Sequence, residues 1–165
     1  MIDKELHAAA KHLLEACRAR GLRIATAESC TGGLVAGTLT DIAGSSDVVE
    51  CGFVVYSNEA KEAMLGVPAA TLKRHGAVSA ETATAMAAGA LKNSRADLSV
   101  AITGIAGPGG GSRGKPVGLV HFAAARRDGR RLTAVHRYGK IGRRRVRERS
   151  VTEALRLLER LAVEP

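Results

Sequence analysis

Apolar residues recur at helical spacing over residues 3–19, where Leu6, Ala9, Ala10, Leu13, Leu14 and Cys17 form one stripe that Gly21 ends. Residues 22–27 read as a short strand, and the polar turn 28–33 leads into renewed helical spacing over 34–42. The Val-rich run 48–56 predicts a second strand. Short helices are predicted over 58–65 and 69–75, the latter closed by Gly76. Ser79 is placed to cap a helix over 80–91, with Glu81 in its first turn. A continuous apolar run at 98–103 predicts a third strand, and the glycine-rich stretch 104–112 that follows suits no regular element. Strands at 117–125 and 132–138, joined at Asp128-Gly129, and a helix over 144–161 complete the chain. Strands alternating with helices, then a strand pair, imply a three-layer α/β/α fold with a mixed, mostly parallel sheet. A length of 165 residues assigns 1–165 to a single domain.

Composition narrows the functional classes. Aromatic residues make up only 2% of the chain and Trp is absent, so base-stacking platforms are poorly supplied. Cys17, Cys30 and Cys51 are odd in number and lack C-x-x-C spacing, which argues against structural zinc and a disulfide framework. No apolar stretch is long enough to span a membrane, and residues 1–20 carry charges where a secretory signal needs an apolar region. A cytoplasmic location is therefore expected. The net charge of +9 sits in one place: residues 126–149 hold eleven Lys/Arg against two acids, while the rest of the chain has 14 of each sign. Such a segment suits nucleic acid, a phosphorylated small molecule, or simply a solvated face.

Three segments following predicted strands carry the candidate chemistry, and in open α/β sheets such loops converge on one pocket. In the first, Ser29 and Cys30 are candidate nucleophiles at a strand-to-helix turn, and the N–H groups near Thr31, Gly32 and Gly33 are candidate oxyanion or phosphate donors. Helix capping by Ser29 and Thr31 is the plainer alternative. Successive strand residues point oppositely, so only one of Ser29 and Cys30 faces a given pocket. In the second, Lys61 becomes a candidate base if burial lowers its pKa, with Tyr56 able to relay or orient the proton. In the third, Gly109-x-x-x-x-Gly114-Lys115 falls short of a phosphate-binding P-loop, because Pro116 replaces the hydroxyl residue and a strand follows. A glycine loop able to cradle a ligand remains. The five histidines show no metal-ligand spacing and no acidic cluster is set for a metal, so neither metal nor cofactor is expected.

The segments Thr-Ala-Glu-Ser-Cys-Thr-Gly-Gly (26–33), Gly-Phe-Val-Val-Tyr-Ser-Asn-Glu-Ala-Lys (52–61), His-Gly-Ala-Val-Ser (75–79) and Thr-Gly-Ile-Ala-Gly-Pro-Gly-Gly (103–110) closely resemble the CinA C-terminal domain family. Its enzymatic members are nicotinamide-nucleotide amidohydrolases. The resemblance implies hydrolysis of the carboxamide of nicotinamide mononucleotide, within pyridine-nucleotide salvage, by a serine nucleophile with a lysine partner and no metal. Carried over by motif, it implies catalytic roles for Ser29, Lys61, Tyr56 and Thr103. It implies substrate binding by Thr31, Gly32, Gly33, Gly104, Gly107, Gly109, Gly110 and Arg143, the last toward the phosphate. The length suits the stand-alone form rather than the fusion to a larger nucleotide-processing domain. The expected partner is a small-molecule nucleotide, with nucleic acid and membrane not expected and a homo-oligomer compatible with the apolar helices. A catalytically silent nucleotide sensor and a basic nucleic-acid-binding module are the competing readings.

Overall fold

The computed structural model describes residues 3–165; Met1 and Ile2, which the assignment of 1–165 includes, lie outside the described residues. Helix α1 (Lys4–Arg20) is capped by the Asp3 carboxylate, which accepts from the Glu5 N–H, and ends at Gly21 in the left-handed region. The remaining elements are β1 (Ile24–Glu28), α2 (Leu34–Thr40), β2 (Val49–Val54), α3 (Asn58–Leu65), α4 (Ala69–His75), α5 (Ala80–Lys92), β3 (Leu98–Gly104), β4 (Leu119–Arg126), β5 (Arg131–Arg137) and α6 (Arg143–Val163). A single turn of tighter helix at Ser45–Asp47 has no signature in the apolar pattern.

One sheet carries the strands in the order β2-β1-β3-β4-β5. Strand β1 pairs in parallel with β2 and β3, while β3–β4 and β4–β5 are antiparallel, so four of five strands run one way. All five residues of β1 are buried because it is central and has helices on both faces. One face packs Ile24, Val100, Ile102 and Phe122 against α1, α2 and α6. The other packs Ala25, Ala27, Ala101, Ala123 and Ala125 against Met86, Ala87 and Ala90 of α5. These small residues let α5 lie close to the sheet, and α3 lies close to α5 in turn. A Cβ at Gly89 of α5 would stand 2.0 Å from the Leu65 carbonyl oxygen at the end of α3. Glycine at 89 therefore sets how near α3, which carries Lys61, approaches the core.

Among the described residues, no helix is long and apolar enough to cross a membrane.

Candidate functional site

The site is built at the carboxyl end of β1. The Ser29 N–H donates to the Ile102 carbonyl (3.0 Å) and the Val55 N–H to the Glu28 carbonyl (2.9 Å), so the strand end is held from both sides. The alternation of β1 then continues into the loop. Ser29 follows Ala25 and Ala27 toward the α5 face, whereas Cys30 enters the opposite core with Val35 and Val146. Burial pushes the Cys30 thiol up to about 12, so it stays protonated and non-nucleophilic near neutral pH.

Lys61 arrives from α3, whose N-terminus is capped by the Ser57 hydroxyl accepting from the Ala60 N–H. Its side chain is only 1% exposed. Nζ lies 3.2 Å from Ser29 Oγ, 3.1 Å from the Val55 carbonyl oxygen and 3.4 Å from that of Tyr56. No acidic side chain pairs with Lys61 among the described residues. Desolvation lowers its pKa below the ordinary lysine value. A neutral amine has two N–H groups and one lone pair. Donating to the Val55 and Tyr56 carbonyls uses both hydrogens and leaves the lone pair for the Ser29 hydroxyl proton. The three contacts of Nζ therefore match the valence of an amine acting as base toward Ser29.

The depressed pKa has a thermodynamic consequence with a definite sign. Between the native pKa of Lys61 and the unfolded value near 10.4, the unfolded chain binds more protons, so this residue's contribution to stability rises with pH. The melting temperature of wild type minus that of Lys61→Met is expected to increase from pH 7 to pH 10, by about 2–4 °C per kcal/mol of linkage. A flat difference across that range would show that Lys61 titrates normally.

Glu28, noticed in the sequence only as part of the polar turn, proves to organise it. Its fully buried carboxylate accepts at Oε1 from the Thr31 hydroxyl (2.7 Å) and Val35 N–H (2.9 Å), and at Oε2 from the Thr26 hydroxyl (3.2 Å) and Ala36 N–H (3.1 Å). It thus caps α2 from one turn before the helix and fastens the Ser29 loop to that helix. Thr31 binds inward to Glu28 through its side chain. Gly32 and Gly33, with φ of 59° and 97°, take the left-handed turns that lead into α2.

The glycine-rich segment and α6 close the rim. Arg143, the first residue of α6, donates to the Gly107 carbonyl and to the Tyr56 hydroxyl, both at 2.9 Å. Tyr56 therefore touches Lys61 through its carbonyl and Arg143 through its hydroxyl, and its ring is exposed. Gly107 has φ of 83°, and a Cβ there would stand 2.5 Å from Val117 Cγ1, so only glycine lets the loop fold against the segment leading into β4. Gly104 ends β3, while Gly109 and Gly110 lie in the exposed part of the loop. Thr103 is buried and donates to the Ala77 carbonyl at 2.7 Å, fastening the α4–α5 turn to the sheet end beside Ile102. Arg147, one helical turn beyond Arg143, donates to the Cys30 carbonyl (3.2 Å) and the Thr31 carbonyl (3.1 Å). Nothing in the sequence distinguishes it from the other basic residues of 126–149. Several of those are also committed internally: Arg127 to the Leu91 and Ala96 carbonyls, Arg126 and Arg130 to Asp128, and Arg144 to Glu148.

Ser29, Lys61, Tyr56, Gly107 and Arg143 thus form one connected hydrogen-bonded chain, with Thr103 at the adjoining strand end. His121, opposite Thr103 in the β3–β4 ladder, is kept neutral by burial and the nearby Lys115 cation. No group of three or more His, Cys, Asp or Glu residues is placed to hold a metal among the described residues.

Known proteins match this chain in sequence and fold. The CinA C-terminal domain profile aligns with residues 6–162. The chain belongs to the CinA C-terminal domain family. Within it, the chain is 56% identical over 133 residues to the Escherichia coli K12 nicotinamide-nucleotide amidohydrolase PncC, covering 81% of each protein. It is 57% identical over 138 residues to a CinA-like protein of Mycobacterium marinum, covering 84% of this chain but 32% of that one. The crystal structure of the competence/damage inducible protein CihA from Agrobacterium tumefaciens superposes with a TM-score of 0.95 at 53% identity, over 96% of both chains. A CinA superfamily protein from Klebsiella pneumoniae superposes at 0.91 with 37% identity, over 97% of this chain and 99% of that one. The mixed five-stranded sheet with helices on both faces is therefore the fold of the CinA C-terminal domain.

Proposed function

We propose that this chain is an amidase that hydrolyses the carboxamide of nicotinamide mononucleotide to nicotinate mononucleotide and ammonia. The observation that carries the proposal is the desolvated Lys61 amine 3.2 Å from the Ser29 hydroxyl, in a chain 56% identical to a nicotinamide-nucleotide amidohydrolase. Lys61 accepts the Ser29 proton as Oγ attacks the carboxamide carbon, and the carbonyl oxygen becomes an oxyanion. As the tetrahedral centre collapses, the C–N bond breaks and Lys61 returns the proton to the departing nitrogen, which leaves as ammonia. Water then attacks the acyl-serine. Lys61 takes one of its protons, the ester bond breaks, and Ser29 recovers its hydrogen as the carboxylate is released.

The rim fits the rest of the nucleotide. Arg143 offers a guanidinium suited to a phosphate, and the Gly104–Gly110 loop offers backbone donors. Replacing Arg143 with Ala is expected to raise KM for nicotinamide mononucleotide about tenfold or more, the scale of one charge-assisted contact, while leaving activity on the phosphate-free nucleoside unchanged. An equal loss on both substrates would remove Arg143 from phosphate recognition.

A cytosolic setting and a homo-oligomeric assembly belong to the same proposal, the former because three free thiols suit a reducing compartment. The test is ammonia release from nicotinamide mononucleotide by the purified protein. Release supports the amidase; tight nucleotide binding without release would identify a sensor that keeps the pocket.

A further inference from the structure

The Arg147 guanidinium meets the backbone of the Ser29 loop rather than any acidic side chain: Nε donates to the Cys30 carbonyl at 3.2 Å and Nη2 to the Thr31 carbonyl at 3.1 Å. In a trans peptide the C=O and N–H point in opposite directions. Fixing the Cys30 carbonyl toward Arg147 therefore turns the Thr31 N–H away from α6. Arg147 lies on the side of the loop where Cys30 is buried, and Ser29 faces Lys61 on the other. Several of the neighbouring N–H groups are already used. That of Gly32 donates to the Ser29 carbonyl, that of Leu34 to the Thr31 carbonyl, and those of Val35 and Ala36 to Glu28. The N–H groups of Cys30, Thr31 and Gly33 have no acceptor among the described residues, and of these three only that of Thr31 belongs to a peptide whose carbonyl Arg147 holds.

Resting on the proposed amidase reaction at Ser29, we infer that Arg147 is a positioning residue that holds the Cys30–Thr31 peptide so that the Thr31 N–H serves as an oxyanion donor. It acts through the peptide plane and does not touch the substrate. The loop supplies two carbonyls side by side, and a planar guanidinium satisfies both where a lysine ammonium on a flexible stem holds one. The fit is close, since a Cβ added at Gly32 would come within 3.2 Å of Arg147 Nη2. Arg147 also lines a cavity of about 660 Å³ between α1, α2 and α6, with Leu6, Leu34, Thr38 and Val151. That opening gives a small cation a route to the Arg147 position.

Removing one preorganised oxyanion donor lowers kcat by about 10²–10³-fold, and loosening its peptide gives part of that. Arg147→Ala is therefore expected to lower kcat for nicotinamide mononucleotide about 10–100-fold with KM within threefold. The same fractional loss is expected on nicotinamide riboside, and millimolar guanidinium should restore several-fold of the rate. A raised KM with kcat preserved, or a loss confined to the phosphorylated substrate, would make Arg147 a phosphate ligand and overturn the inference. Should Arg147→Ala fail to fold, Arg147→Lys decides: a kcat reduced several-fold at unchanged KM supports it, and a wild-type kcat overturns it. A fluorophosphonate probe, with Ser29 labelling located by mass spectrometry, gives a readout independent of the amide substrate. Slower labelling in the Arg147 variants supports the inference, and equal rates overturn it even if wild type releases no ammonia.

Discussion

Replacing Ser29 with alanine is expected to lower ammonia release from nicotinamide mononucleotide at least about 10⁴-fold, in the range known for loss of a nucleophile that works as part of a unit. The fold should survive, because among the described residues the Ser29 hydroxyl hydrogen-bonds only Lys61, while the loop is held by the Ser29 backbone, Glu28 and Arg147. Lys61→Met should cause a loss of similar order, since a serine hydroxyl without its base is a weak nucleophile. The double variant should be no slower than either single one, because the two groups perform one proton transfer. A double variant slower by the product of the single effects would mean that they act separately. Below the pKa of Lys61 the ammonium has no lone pair. The rate of the wild-type enzyme should therefore rise with pH along an acidic limb whose midpoint lies below the ordinary lysine value, because burial disfavours the charged form. A rate indifferent to pH across that limb would exclude Lys61 as the base.

The second large effect is expected at Glu28. Four donors converge on its buried carboxylate, two of them N–H groups at the start of α2. Glu28→Gln keeps the shape but turns one acceptor into a donor facing donors. Hydrogen bonds to a charged group contribute about 1.5–3 kcal/mol each, and the helix loses its anionic cap. A destabilisation of about 3 kcal/mol follows, or roughly 6–12 °C in Tm for a chain of this size. Activity should fall as well, because the same carboxylate fastens the loop that carries Ser29 and Thr31. Calorimetry paired with the ammonia assay checks both, and an unchanged Tm would show that the carboxylate does not hold the loop.

Much of this was legible in the residues. Period-3.6 and period-2 patterns place the helices over Asn58–Leu65 and Ala69–His75 with their observed limits, and place the ends of the other elements within two residues. The two-residue offset at the end of the second strand has a physical cause: the chain leaves the sheet after Val54 so that the Val55 and Tyr56 carbonyls can meet Lys61. Alternation along the first strand already required Ser29 and Cys30 to point apart, but which of them met a base depended on which face α3 covered. Capping, the plainer role for the turn hydroxyls, falls instead to Glu28, with Thr31 as one of its donors.

The sequence by itself determined the elements, their layering and the family, because these follow from local spacing and from motifs long enough to be specific. Tertiary structure alone decided the chemistry of single side chains. Lys61 qualifies as the proposed base only because packing removes its water and offers two carbonyls. Arg147 differs from its basic neighbours only because α6 crosses behind the Ser29 loop. Solvation and contact depend on what lies near in space, and residues 32 and about 117 positions apart in the chain carry no local signature of that proximity.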